Sequence, residues 1–272
     1  MNGLEDLALK VARERGIGVD VVMLDFLHFW VLDYMSKVEG IVLKGGGALR
    51  FFYDNPRYSC DLDFSCSAEF ERGKDKLLGL CGWLQSKLGY SCRILKDRDT
   101  GFMKIIKYGV ETGLGKLVFV LEFSRVRDCT RRLLIKGTPF PGLELFLYVR
   151  GEEEILIDKI LAIAYRQKFQ WRDVWDFFYL SRKGIKFDLD ILKMKIASLK
   201  PRFRGISLSN LQCEFLSQMK SFCSVSHSEN EFNLLPLRFR KIFLRNLEEV
   251  LYEANRVIEK IAEVTQKDTF DK

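Results

Sequence analysis

Three consecutive glycines followed by two closely spaced aspartates are the part of this sequence best suited to chemistry. Gly45, Gly46 and Gly47 follow the apolar run Ile41–Leu43 after a single lysine, Lys44, a pattern that predicts a strand that turns into a helix. At such a turn, backbone N–H groups and the helix dipole favour an anion such as phosphate. Glycines also let a phosphate chain approach the backbone closely. Taken alone, however, a triple glycine is often only a tight turn.

Acidic residues that could bind a metal ion follow the glycines. Asp61 and Asp63 alternate with apolar residues in the segment 61–65, a strand pattern that places both carboxylates on one face. Mg²⁺ prefers one or two such carboxylates together with substrate phosphates and water. Glu122, inside the apolar run Val118–Phe123, is the candidate for a third metal ligand, because a buried acid is costly unless a cation neutralises it. Metal ions held there would activate an attacking hydroxyl and stabilise a leaving pyrophosphate.

Each of these features has a simpler explanation. The two aspartates could lie on a solvated strand face or in a turn, and Glu122 could form an ion pair with Arg125 or Arg127. The glycines and acids reinforce one another because they occur together, in this order, between predicted strands and helices.

The predicted strands lie in the N-terminal half of the chain, and the C-terminal half is almost entirely helical. Strands are predicted at 41–43, 61–65, 91–95, 104–108 and 116–123, with hairpin turns at 97–101 and 109–115. Helices are predicted at 4–15, 19–35, 48–53, 74–88, 152–167, 171–182, 189–199, 209–222 and 236–264. Pro139 and Pro141 mark a loop. This segregation predicts an α+β fold, in which residues 1–150 form a small mixed sheet flanked by helices and residues 151–272 form a helical domain.

The amino-acid composition indicates which binding partners and which cellular compartment to expect. The formal net charge is +7, which mildly supports an anionic partner such as a nucleotide, RNA or DNA. Seven cysteines without a C-x-x-C pair and two histidines argue against a structural zinc site. No signal-peptide pattern or membrane-spanning run is evident, so we expect a cytoplasmic protein with reduced thiols and no membrane partner.

Three segments of the chain resemble the AbiEii/MenT-type nucleotidyltransferases. They are Lys-Gly-Gly-Gly-Ala-Leu-Arg at 44–50, Arg-Tyr-Ser-Cys-Asp-Leu-Asp-Phe-Ser at 57–65, and the block from Glu154 to Asp176. Such proteins are toxins of toxin–antitoxin and abortive-infection systems, built on the DNA polymerase β-like nucleotidyltransferase fold. The resemblance runs from about Lys44 to Leu180. It implies a nucleotidyltransferase toxin that uses Mg²⁺ and a nucleoside triphosphate, with a possible antitoxin partner.

The resemblance also implies roles for the residues of the first domain. Lys44 and the three glycines 45–47 would hold the triphosphate, the glycines through backbone contacts. Asp61 and Asp63 would be metal ligands, and Glu122 stands where the family places its third acid. One departure is Gly47, where the family commonly has Ser or Thr. Without that hydroxyl only backbone donors remain, so turnover could be weaker or the nucleotide differently seated.

In the second domain, the resemblance implies that Lys159 contacts the triphosphate, with Arg166, Arg172, Asp173 and Asp176 contributing to nucleotide binding. Lys159 and Arg166 recur at a helical spacing, and the two aspartates share a face from which they could orient Lys159 or the base. The alternative is a pair of helices joined by ion pairs without a ligand.

Similar proteins add nucleotides to the 3′ end of tRNA, which makes RNA the expected acceptor. Lys200–Arg204 and Arg238–Arg245 interleave cations with Phe, and such segments can bind RNA phosphates and stack on unpaired bases. An amphipathic helix with a Phe core and solvated cations would give the same pattern. The other acceptors considered are a small molecule and a protein Ser or Tyr, and a further alternative is a non-catalytic nucleic-acid-binding relative.

Overall fold

The computed structural model describes residues 3–126, 128–199 and 206–270. The chain forms two compact units. One comprises the residues up to Gly151 together with Asn233–Arg238, and the other comprises Glu152–Phe232 and the residues from Phe239 onward. All strands of the described sheet belong to the first unit, and the second is helical. The predicted α+β fold with a helical C-terminal region is therefore confirmed.

The first unit is built on a mixed sheet. Its strands are β1 (Ile41–Lys44), β2 (Leu62–Cys66), β3 (Ser91–Asp99), β4 (Met103–Thr112), β5 (Gly115–Ser124), β6 (Arg132–Gly137) and β7 (Glu144–Val149). They lie in the order β3-β4-β5-β2-β1-β7-β6. β2 runs parallel to β5 and β1 parallel to β7, whereas the other neighbours are antiparallel.

Helices flank this sheet and make up the second unit. They are α1 (Gly3–Arg15), α2 (Val19–Met35), α3 (Gly45–Phe52), α4 (Ala68–Gly73), α5 (Leu80–Leu88), α6 (Glu152–Tyr165), α7 (Trp171–Arg182), α8 (Leu189–Leu199), α9 (Leu208–Ser224), α10 (Leu237–Arg245) and α11 (Leu247–Phe270). Among the described helices, none combines the length and apolar character that crossing a bilayer requires.

One face of the sheet forms the core of the first unit. Leu62 and Phe64 of β2 and Leu121 and Phe123 of β5 are fully buried on it. The ring of Phe123 stacks between Phe64 and Phe70 of α4, with ring centroids 5.3 and 4.7 Å apart. Because side chains alternate along a strand, the residues between these apolar ones project from the opposite face. We call that opposite side the open face.

Two strands occur where only a loop was predicted. β6 and β7 flank the loop that contains Pro139 and Pro141. Their apolar residues are consecutive, as in Leu133-Leu134-Ile135, so they lack the alternation that identifies a half-buried strand. Their strand structure depends on pairing with each other and with β1, which local sequence does not encode.

Other element boundaries also differ from the prediction. The helix predicted over 236–264 is interrupted at Asn246, whose side-chain amide donates to the carbonyl oxygen of Ile242 at 2.5 Å. Such local side-chain bonds compete with regular helix. Gly109, predicted to lie in a turn, is instead inside β4, where an added Cβ would be 3.0 Å from Leu95. The helix predicted over 74–88 begins as a 3₁₀ turn, Lys74–Gly79, and continues as α5.

A buried ion pair fixes the helix that follows the glycines. Arg50 of α3 donates two hydrogen bonds to Asp25 of α2, at 2.8 and 2.7 Å. The guanidinium of Arg50 also lies over the ring of Tyr58, 4.1 Å from its centroid. A bidentate pair of this kind holds two elements in one orientation, so α3 is anchored near its C-terminal end.

His28 of α2 should make stability pH-dependent. Burial lowers its pKa from 6.5 to about 3. A proton therefore binds more readily to the unfolded chain, and stability is lost as the pH falls from about 6.5 toward 3. From about pH 7 to about pH 5 we expect a loss of about 2 kcal/mol from this group.

Urea unfolding at both pH values measures this loss. His28→Phe should remove about that much of the pH dependence, and His227→Gln serves as the control because His227 is the other histidine. An unchanged pH dependence in His28→Phe would contradict the assignment.

Candidate functional site

The glycine run forms a turn from β1 directly into α3. Lys44 ends the strand with an extended backbone, and no side chain caps the helix there. Gly45 has a φ of +64°, a left-handed conformation that favours glycine. Gly46 and Gly47 are buried in the first turn of α3. The turn thus leaves backbone N–H groups without a side-chain cap, as an anion-binding helix start requires.

Two acids lie beside this turn on the open face. Asp63 of β2 pairs in register with Lys44 of β1 on one side and with Glu122 of β5 on the other. Neighbouring strands are about 4.8 Å apart, so the two acids stand side by side, and both are half-buried. The carboxylate Oδ2 of Asp63 is 2.8 Å from the position that a Cβ on Gly45 would occupy. Sequence-distant acids are thus brought to the glycine turn.

Asp61 occupies a different position from the one predicted. The strand begins at Leu62, so Asp61 lies just before it, and the alternation argument applies to Asp63 alone. Within the described ranges, no three His, Cys, Asp or Glu side chains form a ready-made metal cage. The adjacent carboxylates of Asp63 and Glu122 nevertheless fit Mg²⁺, which usually takes one or two protein carboxylates and completes its shell with substrate phosphates and water.

A cation and a hydroxyl that had no predicted role also lie against the glycines. The Arg57 side chain is 2% exposed, and its Nη2 is 2.5 Å from the position of a Cβ on Gly46. The Ser59 Oγ is 3.2 Å from the same position and donates to the carbonyl oxygen of Asp61 at 3.0 Å. Both residues belong to the segment 57–65, which also contains the two aspartates. Their proximity to these acids in the sequence could have identified them as candidate site residues.

The packing around Gly47 gives a reason for its departure from the family pattern. A Cβ there would lie 3.0 Å from Leu62 Cδ2 and 3.6 Å from Leu43 Cδ1. A serine or threonine side chain would therefore press on the apolar side chains of β1 and β2.

Arg125, one of the cations considered as a partner for Glu122, is engaged elsewhere. It forms ion pairs with Glu71 at 2.6 Å and with Asp99 at 2.9 Å. Its hydrogen bond lowers the pKa of the Asp99 carboxyl well below the usual range. The other candidate, Arg127, lies outside the described residues.

A cavity of about 490 Å³ opens farther along the same strands. Val42, Ser65, Cys66, Arg125 and Arg131 are among the residues that line it. Ser65 follows Asp63 by two positions on β2, so its side chain projects from the same face of the sheet as that of Asp63. Burial raises the pKa of the Cys66 thiol to about 11, so this thiol stays protonated near neutral pH.

The floor of the cavity is fixed by a buried polar network. The Arg150 side chain, 2% exposed, donates from Nε to Asp128 at 2.8 Å. The hydroxyl of Ser65 donates to the same carboxylate at 2.6 Å. This network ties the segment after β5 to strands β2 and β7.

In the second unit, the predicted residues form an ion-pair cluster. The Lys159 ammonium of α6 lies 2.8 Å from both Asp173 and Asp176 of α7. Arg166 lies 2.7 Å from Asp173. Lys159, Asp173 and Asp176 are buried, whereas Arg166 is exposed and Arg172 half-buried. The two aspartates therefore hold Lys159, as one reading of their spacing predicted.

The structure describes only one of the two basic, Phe-containing segments. Lys200–Arg204 lies outside the described residues. In α10, Phe243 is fully buried, and its ring packs edge-on against Trp175 with centroids 5.2 Å apart. Arg238, Lys241 and Arg245 are exposed. The amphipathic-helix alternative is thus correct for Phe243, which cannot stack on a base.

Comparison with known proteins finds one matching family and similar solved structures. The family described as nucleotidyl transferase AbiEii toxin, type IV toxin–antitoxin system, matches residues 34–254. The crystal structure of JHP933 from Helicobacter pylori shares 17% identity with a TM-score of 0.50, covering 94% of this chain and 100% of that one. A candidate nucleotidyltransferase from H. pylori shares 18% identity with a TM-score of 0.48, covering 89% of this chain and 96% of that one. No curated protein matches the chain significantly.

The family match spans the glycine turn, the acids beside it and the Lys159 cluster, whereas the JHP933 structure supports the fold alone. The resemblance seen in the sequence is confirmed over most of the chain. The chain belongs to the AbiEii family of nucleotidyltransferases, the toxins of type IV toxin–antitoxin systems.

Proposed function

We propose that this enzyme transfers a nucleotide from a Mg²⁺-bound nucleoside triphosphate to a hydroxyl of RNA, with the 3′ end of tRNA as the acceptor. The observation that carries the proposal is the carboxylate of Asp63 lying against Gly45, at the uncapped start of α3. An anion site and a cation-binding acid thereby adjoin one another, as a metal-bound triphosphate requires.

The chain offers several groups to hold the triphosphate. The N–H groups of Gly46 and Gly47 at the start of α3 donate to phosphate oxygens. The guanidinium of Arg57, against Gly46, and the ammonium of Lys44 add positive charge. Being buried, Arg57 acts at fixed geometry and needs little reorganisation when the phosphates bind.

The carboxylates would bind the metal ion, and one of them accepts the proton that the attacking hydroxyl loses. Asp61, Asp63 and Glu122 would hold Mg²⁺, which when bound neutralises phosphate charge and lowers the pKa of the attacking hydroxyl. The acceptor oxygen forms a bond to the α-phosphorus as the bond from that phosphorus to the bridging oxygen breaks, and pyrophosphate leaves. A carboxylate oxygen of Glu122 accepts the hydroxyl proton.

RNA is the favoured acceptor because of charge. The chain has a formal net charge of +7, and exposed cations such as Arg238, Lys241 and Arg245 can contact a phosphate backbone. A type IV toxin also implies an antitoxin that relieves its effect, and we expect one to be encoded with it.

Labelled nucleotide transfer tests the proposal. The protein is incubated with each α-³²P-labelled triphosphate and Mg²⁺, in the presence of purified tRNA, total cell protein or a set of small hydroxyl compounds. Label should appear at the 3′ end of RNA, and chelation of Mg²⁺ should abolish it. Label on protein or on a small molecule would replace RNA as the acceptor, whereas no label anywhere would contradict transfer under these conditions.

Gly45→Ala should impair transfer strongly. An alanine at a φ of +64° is strained by about 1–2 kcal/mol, and its Cβ would be 2.8 Å from Asp63 Oδ2. Because the carboxylate must move, we expect transfer to fall about a hundredfold. Gly82→Ala in α5 is the control, since nothing lies within 4 Å of its added Cβ. Equal activity of both variants would contradict the role of this contact.

A further inference from the structure

The hairpin of β6 and β7 exposes apolar side chains on the open face. Leu133 pairs across the strands with Tyr148, and Ile135 with Phe146. Their exposed fractions are 47%, 39%, 65% and 49%, in that order. A contiguous exposed group of large apolar residues usually marks a binding surface. We call these four residues the aromatic platform.

The platform lies on the same face as the acids. Val149 pairs with Leu43 and Leu43 with Phe64 on the core side, so Tyr148 and Phe146 project from the side that carries Asp63. β7 is separated from β2 only by β1, a step of about 10 Å across the sheet. A flexible chain whose end reaches the acids can therefore lie across the platform.

The cation of Arg131 lies against the platform. The Arg131 guanidinium lies 3.7 Å from the centroid of the Tyr148 ring, and Arg131 also lines the cavity that Ser65 lines. Arg132 and Lys136 pair with Val149 and Leu145 on the core side of the hairpin, so they project from the face opposite the platform. Aromatic rings bordered by cations are the elements with which proteins bind single-stranded nucleic acid, the rings stacking on bases and the cations contacting phosphates.

We propose that the aromatic platform binds the single-stranded end of the acceptor RNA, with bases stacking on Phe146 and Tyr148 and Arg131 contacting the backbone. This inference rests on the proposed function, since it assigns a docking surface to the RNA that delivers its hydroxyl to the acids. RNA is favoured over a protein partner by the Arg131 guanidinium against the Tyr148 ring and by the shared face with the acids.

The test compares Phe146→Ala/Tyr148→Ala with Phe146→Leu/Tyr148→Leu. The probe is a short fluorescein-labelled single-stranded RNA with a free 3′ hydroxyl, and binding is followed by anisotropy. Both variants should weaken binding at least about tenfold, because leucine keeps the apolar surface but not the stacking ring. Phe146→Tyr/Tyr148→Phe should bind like the wild type. Tyr252→Ala, which removes an exposed aromatic of α11, is the matched control.

Steady-state kinetics distinguish the proposed RNA acceptor from the proposed docking of that RNA on the platform. With the Ala and Leu variants, KM for RNA should rise while KM for the triphosphate stays unchanged. Wild-type protein that neither binds nor labels RNA would overturn the proposed acceptor and, with it, the platform assignment. If the wild type labels RNA and the Ala variant does so equally well, the assignment of the platform is wrong while the proposed acceptor stands. Binding kept by the Leu variant, or a change of oligomeric state with RNA binding unchanged, would instead assign the surface to a protein contact.

Discussion

Asp63→Asn is expected to reduce nucleotide transfer by about a thousandfold or more, equivalent to about 4 kcal/mol of transition-state stabilisation. Asp63 is the acid whose carboxylate lies against the glycine turn and whose strand neighbour is Glu122. Asparagine keeps the size of the side chain but cannot hold Mg²⁺ with a full negative charge.

Asp63→Asn should lose activity without losing stability. Asp63 is half-buried beside another acid, so removing its charge relieves repulsion in the metal-free protein. We expect the free energy of unfolding to stay within about 1 kcal/mol of wild type. Asp75→Asn, at an exposed acid in the same unit, is the matched control and should keep full activity. Near-wild-type transfer by Asp63→Asn would show that the metal site lies elsewhere.

Lys159→Met is expected to have the largest effect on stability, because Lys159 neutralises two buried carboxylates. Its ammonium lies 2.8 Å from both Asp173 and Asp176, whose side chains are 3% and 0% exposed. Removing one partner of a buried ion pair typically costs about 3–5 kcal/mol. Denaturant unfolding of wild type and variant measures this loss, and an unchanged stability would contradict the buried-pair description.

A second variant separates the structural role of Lys159 from a role with the triphosphate. Lys159→Met/Asp176→Asn removes one negative charge together with the positive one, so part of the lost stability should return. If Lys159 also offsets phosphate charge, transfer by this double variant should stay about a hundredfold or more below wild type. Transfer that returns along with stability would assign Lys159 a structural role only.

The chain offers a matched control for this experiment. Lys195 is buried against Glu154 at 2.5 Å and Asp158 at 3.0 Å, so it resembles Lys159 in chemistry and burial. Lys195→Met should lower stability to a similar degree, and Lys195→Met/Glu154→Gln should recover part of it. Neither should change the KM for the triphosphate. A comparable kinetic defect in the Lys195 variants would mean that transfer responds to loss of helix packing in general.

The local sequence was sufficient to predict features that depend on a single strand, turn or helix. The apolar run before Gly45 and the glycines themselves predict a strand, a turn and a helix start, because glycine alone adopts a φ of +64° without strain. The alternation around Asp63 places it opposite Leu62 and Phe64, since side chains alternate along any strand. These features need no knowledge of the rest of the fold.

Tertiary structure decided which groups meet. Glu122 stands beside Asp63 because β5 is the parallel neighbour of β2, and Arg57 reaches Gly46 because the segment before β2 folds back on α3. Strand order and chain reversal depend on contacts between distant residues, which the local pattern does not report. The same holds for β6 and β7, whose pairing places Phe146 and Tyr148 on the face of the acids. The sequence thus determined the chemical groups and their local faces, and long-range packing determined their neighbours.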